Sequence, residues 1–183
     1  MSTPVRSLVV PRIKAFAIDY LIILAYIGLL LGATVLVSNF ADISLENVNT
    51  TRAELIGFIT LTLPAILYFS FTESGKHGGS VGKRIFGLKV VTKNLNRAGF
   101  TQLLVRNLIK FLPWEIAHFF VYQLVHRMRT DAEPPSWILA GLTGSQALAV
   151  IYLLFIFFNK NNRSIYEIAS HTRVVNYTNM KSV

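Results

Sequence analysis

The chain has 183 residues, of which 52% are hydrophobic and only 15% charged, with a mean hydropathy of +0.49. Soluble domains carry about 25% charged residues, so an ordinary water-soluble domain is excluded and an integral membrane protein is indicated. Lys and Arg number 18 against 9 Asp and Glu, a net charge of +9, and the absence of cysteine excludes disulfides and thiolate metal sites.

Four apolar blocks follow in chain order, and a hydrocarbon core about 30 Å thick needs about 20 helical residues to cross. The first, 13–37, is rich in Leu and Ile and is interrupted only by Lys14 and Asp19. It is too long for a cleavable signal peptide and no small-x-small site follows it, so it reads as a signal anchor and first span. The second, 55–71, is shorter and holds Pro64. The third, 103–125, carries Arg106, Asn107, Lys110, Glu115 and His118. Its first ten residues are predicted to lie along the membrane surface as an amphipathic helix, with the crossing starting near Phe111. The fourth, 137–158, has no charged residue. The expected fold is one all-α membrane domain over 1–183 with four transmembrane helices, a loop at 72–102 and a tail at 159–183.

The loop contains "GKHGGSVGKR" (75–84), which has the look of a phosphate loop. A Walker motif needs G-x-x-x-x-G-K followed by Ser or Thr. His77 stands five places before Gly82 and Arg84 follows Lys83, so both required positions fail and no nucleotide is expected. Beyond it, "RIFGLKVVT" (84–92) is β-rich, as is "TRVVNYT" (172–178) in the tail. The two runs can pair as a small ribbon, although two strands alone are marginal; an irregular peripheral loop is the alternative.

Basic residues set the orientation. Arg52, Arg127 and Arg129 are the only ones in the loops at 38–54 and 126–136, which leaves 15 of the 18 elsewhere. The positive-inside rule then places both termini and the 72–102 loop in the cytoplasm. This bias, together with anionic lipid on the cytoplasmic side, accounts for the net charge without any nucleic-acid partner.

Ionisable residues inside spans are functional candidates by default. Asp19 lies two helical turns beyond Arg12, with Tyr26 two turns further on the same face. Either Asp19 binds a cation or proton beside a basic group, or it makes a structural pairing with another span while Arg12 snorkels to headgroups. Glu115, His118 and Tyr122 are spaced i, i+3, i+7 and share a face. They form either a proton relay or simply the polar side of a helix turned towards its neighbours. Arg106 and Lys110, one turn apart, read as lipid headgroup anchors. No H-E-x-x-H or G-x-S-x-G occurs and the four histidines lack metal-ligand spacing, so no enzyme, metal or cofactor is expected.

Three segments carry a resemblance. "RIKAFAIDYLII" (12–23) resembles the arginine and first aspartate of the RDD family of small bacterial membrane proteins. "GGSVGKRIFGLKVV" (78–91) resembles its G-x-[TS]-x-G-K-R-x-x-G-L-x-V-V signature, carried here by Gly78, Gly79, Ser80, Gly82, Lys83, Arg84 and Gly87. "NRSIYEIASHTRVV" (162–175) is similar to its C-terminal segment, with Glu167 where the second aspartate falls and Tyr166 where histidine is usual. The resemblance implies a multi-pass protein of the bacterial inner membrane with a role in transporting ions or other ligands, in which Asp19, Arg12 and Glu167 are site candidates. Two readings stay open. One is a transporter or transporter component, proton- or sodium-coupled, for which 20.5 kDa favours a homo-oligomer or a partner membrane protein. The other is a scaffold that binds lipid or a partner complex through its basic cytoplasmic face.

Overall fold

The computed structural model describes residues 8–41, 49–159 and 163–177. Parts of the expected outer loop and tail, including Asp42, Glu46, Lys160 and Lys181, lie outside the described residues.

The first block is one unbroken helix, α1 (Val9–Ala41). The second begins earlier than expected, at α2 (Thr50–Gly57), where the Asn49 side chain caps the first turn by accepting from the Arg52 amide at 3.0 Å. It continues through a π turn (Phe58–Thr62) into α3 (Leu63–Ser74). The π turn has a local cause. Pro64 has no N–H to offer the Thr60 carbonyl four residues back, and the Tyr26 hydroxyl of α1 donates to that carbonyl at 2.5 Å instead.

After α3 the chain makes a short loop and one helical turn, α4 (Val81–Ile85), with Ser80 at its N-cap. Gly87, at a φ of 65°, then turns it into β1 (Leu88–Thr92). The expected strand is therefore shorter by its first four residues, which are helix and turn. β1 pairs antiparallel with β2 (Thr172–Asn176), Val90 opposite Val174 and Thr92 opposite Thr172. The ribbon is not left to stand alone. Leu88, Val90 and Val174 pack with Ala15 of α1, Ala98 and Leu103 into a small apolar core at one end of the bundle.

The third block is a single helix, α5 (Phe100–Arg129), continuous through Pro113. Its first turns are built into the bundle on one face, where Leu103, Arg106 and Asn107 are buried by α3, α7 and the ribbon, while Val105 and Leu108 on the other face are exposed. α6 (Ser136–Phe158) packs along α5, where Gly141 leaves room for the Phe120 ring. One turn, α7 (Ile165–Ala169), leads into β2. Three helical segments are long and apolar enough to cross a membrane: α1, the α2–α3 unit and α6. The side chains that cover them, Leu29 and Phe40 of α1 among them, are exposed in the isolated chain, as lipid-facing residues should be.

Candidate functional site

The start of α1, the end of α3, the turn α4, the start of α5 and the turn α7 meet at the ribbon end of the bundle, and each contributes a charged side chain. Glu73, at the last turn of α3, is fully buried; its Oε1 accepts from Lys83 Nζ at 2.6 Å and its Oε2 lies 3.3 Å from Arg106 Nε. Arg106 is 1% exposed. Its Nη2 reaches Glu167 Oε1 at 3.4 Å, its Nη1 donates to Thr172 Oγ1 at 2.9 Å, and its guanidinium lies over the Tyr166 ring. Glu167 in turn accepts from Arg12 Nη1 at 3.5 Å, and Arg12 Nη2 donates to the Val174 carbonyl. Burial of single charges costs several kcal/mol; alternating carboxylates and guanidinium or ammonium groups make it tolerable.

Asp19 belongs to the same region but is held differently. It is 2% exposed, and its Oδ2 accepts from the Ser80 hydroxyl at 2.5 Å. Its Oδ1 accepts from the Gly82 amide at 2.9 Å and from the Tyr68 hydroxyl at 3.3 Å. A carboxylate at the first turn of α4 satisfies amides that have no intrahelical partner. Such an approach requires glycine at position 82, where a Cβ would stand 2.1 Å from the Ala15 carbonyl oxygen of α1.

Between these groups lies a cavity of about 130 Å³. Arg12, Lys83, Arg106 and Lys110 line it with Asp19 and Glu167, and Ile13 and Phe16 of α1 and Leu153 and Ile156 of α6 form its apolar walls. Its two ends of sequence, the "RIKAFAID" of α1 and the "IYE" of α7, lie more than 140 residues apart in the chain, which is why a motif that spans the whole domain converges on one chamber. The family question is settled by sequence similarity on the same scale. A model of the RDD family matches residues 6–171. The chain belongs to the RDD family. No curated protein and no solved structure matches it.

Most of the expected site residues of this RDD-family chain sit in or beside the chamber. Arg12, Asp19, Glu167 and Lys83 do, and Gly78, Gly79, Ser80, Gly82 and Gly87 belong to the loop and turn that carry Lys83 and meet Asp19. Arg84 is exposed. The readings of three residues need correction. Arg106 is not a headgroup anchor: it is enclosed by Glu73, Glu167, Thr172 and Tyr166. Asp19 is not paired with a basic group: among the described residues no Lys, Arg or His lies within 4 Å of its carboxylate, and its partners are hydroxyls and an amide. Lys110 also leaves the surface role, because it lines the cavity with Nζ 3.4 Å from the Phe69 ring centre.

Glu115, His118 and Tyr122 form a separate polar station further along α5. Glu115 Oε1 accepts a short hydrogen bond from Thr62, the last residue of the π turn, and lies 3.5 Å from His118 Nδ1. Tyr122 packs against Gly57, where a side chain would collide with its hydroxyl. Glu73, Lys110 as a chamber residue, Ser70 and Asn107 escaped the sequence reading. Ser70 and Asn107 join α3 to α5 through Asn107 Nδ2 donating to Ser70 Oγ at 3.2 Å. Glu73 was visible as a carboxylate just beyond an apolar block and beside a basic loop, a position at which pairing with that loop is the economical outcome.

Proposed function

We propose that this RDD-family membrane protein moves, or helps to move, a small ion or solute across the bacterial inner membrane, and that the charged chamber is its binding station on the cytoplasmic side. The observation that carries this reading is the chamber itself: a cavity walled by four cations and two carboxylates, drawn from both ends of the chain, with apolar flanks on two candidate spans. The pair of Glu115 and His118 adds titratable groups deeper along the same helix, about 13 Å beyond Arg106. The π turn at Thr62 lies against it, and π turns recur at functional positions.

Four crossings with both ends inside are part of the proposal, and the geometry supports them by parity. The start of α1, the end of α3, the start of α5 and the segment after α6 contribute Arg12, Glu73, Arg106 and Glu167 to one cluster. If α1, α2–α3 and α6 each cross, α6 can end at that cluster only if α5 has carried the chain to the far side. α5 is long enough, at 30 residues or about 45 Å. Cysteines introduced one at a time should show this. Ala132, between α5 and α6, is expected to react with an impermeant maleimide in intact cells and Asn94 only after lysis; external labelling of Asn94 would reverse the orientation.

A second reading has its own observation: Lys76, Arg84 and Lys93 of the loop are exposed, and such a basic face suits a scaffold that docks lipid or a partner complex. Flux from purified protein in proteoliposomes separates the two. Transport predicts gradient-dependent flux that is absent from empty liposomes; liposomes tight to every ion and solute gradient tried would leave the scaffold reading.

A further inference from the structure

We infer that the chamber takes the oxyanion head of a membrane amphiphile, a phosphate-headed lipid, which enters sideways from the bilayer between α1 and α6. The inference rests on the chamber being a ligand site, as proposed above, and goes further in naming the chemistry of the ligand.

The charge around the cavity is unbalanced. Four cations, Arg12, Lys83, Arg106 and Lys110, face three carboxylates, Asp19, Glu73 and Glu167. Each carboxylate has partners of its own: Glu73 is ion-paired with Lys83 and Arg106, although its Oε2 accepts no hydrogen bond, Glu167 is paired with Arg12 and Arg106, and Asp19 accepts from two hydroxyls and an amide. Lys110 is the cation left over. Among the described residues no carboxylate lies within 4 Å of its Nζ, which rests on the faces of Phe69 and Phe111. Arg163, beside the cluster, likewise donates to two main-chain carbonyls, those of Glu167 and Thr172. An ammonium group lining an apolar-walled cavity calls for an anion, and charge-assisted bonds to phosphate oxygens are the strong kind.

The walls say where the anion comes from. Among the described residues α1 and α6 share no extensive packing; α1 meets the bundle mainly through α4, and α6 through α5. Ile13, Phe16 and Leu153 line the cavity and are also more than half exposed on the outside of the bundle. The apolar walls therefore run out to the lipid-facing surface, which suits acyl chains and gives a free phosphate no advantage. The cavity has room for a phosphate and its first methylenes.

Purified full-length protein in detergent should bind dioctanoyl phosphatidic acid saturably, by calorimetry, at least tenfold more tightly than dioctanoyl phosphatidylcholine or inorganic phosphate. Lys110→Gln should weaken that binding about tenfold or more, Lys110→Arg should retain it, and Lys93→Gln, on the exposed loop, should leave it unchanged. The melting temperature of each ligand-free variant establishes that it is folded. Inorganic phosphate binding as tightly as the lipid would make the ligand a soluble oxyanion and overturn the lateral route. Equal loss on Lys93→Gln and Lys110→Gln would reduce the effect to surface charge and overturn the site. Saturable, Lys110-dependent binding by a protein without flux would refute transport alone, whereas flux with no lipid binding would refute this inference alone.

Discussion

Arg106→Ala is expected to cost about 3–5 kcal/mol of stability, enough to prevent accumulation of folded protein at growth temperature. Among the described residues Arg106 alone forms ion pairs with both Glu73 and Glu167, and it also donates to Thr172 of β2. Its removal leaves two carboxylates, each at most 1% exposed, with one cation apiece. The loss should appear as a lower melting temperature in detergent. Arg106→Lys should recover only part of it, because an ammonium group cannot fork between two carboxylates and a hydroxyl. The double variant Arg106→Met with Glu167→Gln should be more stable than the sum of its single changes implies, by about 0.5–3 kcal/mol, since the second change removes the charge that the first strands. Strict additivity would mean that Arg106 and Glu167 are not energetically coupled.

Such a network explains why the two ends of the chain are held together. The first turn of α1 and the last described strand are joined through Arg12, Glu167 and Arg106, and Leu88 and Val174 of the ribbon line the chamber. Two strands would be marginal in water. Here Leu88 and Val90 bury one face against Ala15 and Leu103, and Arg106 and Arg163 add bonds to Thr172.

The apolar blocks were legible because lipid demands long runs without charge, and 13–37, 55–71 and 137–158 all fall inside observed helices. The family motifs were legible as strings; that all three meet at one end of the bundle was not. Partners were not. Position along a helix fixes which face a side chain shares, so Arg12 and Asp19 read as one stripe; it does not say what stands opposite that face. Opposite Arg12 stands Glu167, 155 residues away, and opposite Asp19 stands the loop. Arg106 looked like a headgroup anchor for the same reason: its neighbours Glu73 and Glu167 come from distant segments. The reach of α5 was also obscured, because its charges lower the apolar signal, although Arg106, Glu115 and His118 find partners inside the bundle.

Gly82→Leu should undock the loop from α1, at about 3 kcal/mol, the upper end of the range for overpacking. The obstructing atom is the Ala15 carbonyl oxygen, 2.1 Å from the position of the new Cβ, so no side-chain rotation can relieve the collision. With the turn displaced, the Gly82 amide and the Ser80 hydroxyl leave Asp19, which is then a buried carboxylate with only the Tyr68 hydroxyl. Limited proteolysis should therefore cut the 75–99 loop much faster in this variant than in wild type. Asp19→Asn should reproduce the same pattern more mildly, by about 1.5–3 kcal/mol, because an amide offers one acceptor oxygen where the carboxylate offered two and the bonds lose their charge. Ser80→Ala should fall between Asp19→Asn and wild type, since it removes one bond of the three. An Asp19→Asn protein with wild-type melting and wild-type protease resistance, but without flux, would contradict this latch. It would show that the charge of Asp19, rather than its grip on the loop, is what the protein uses.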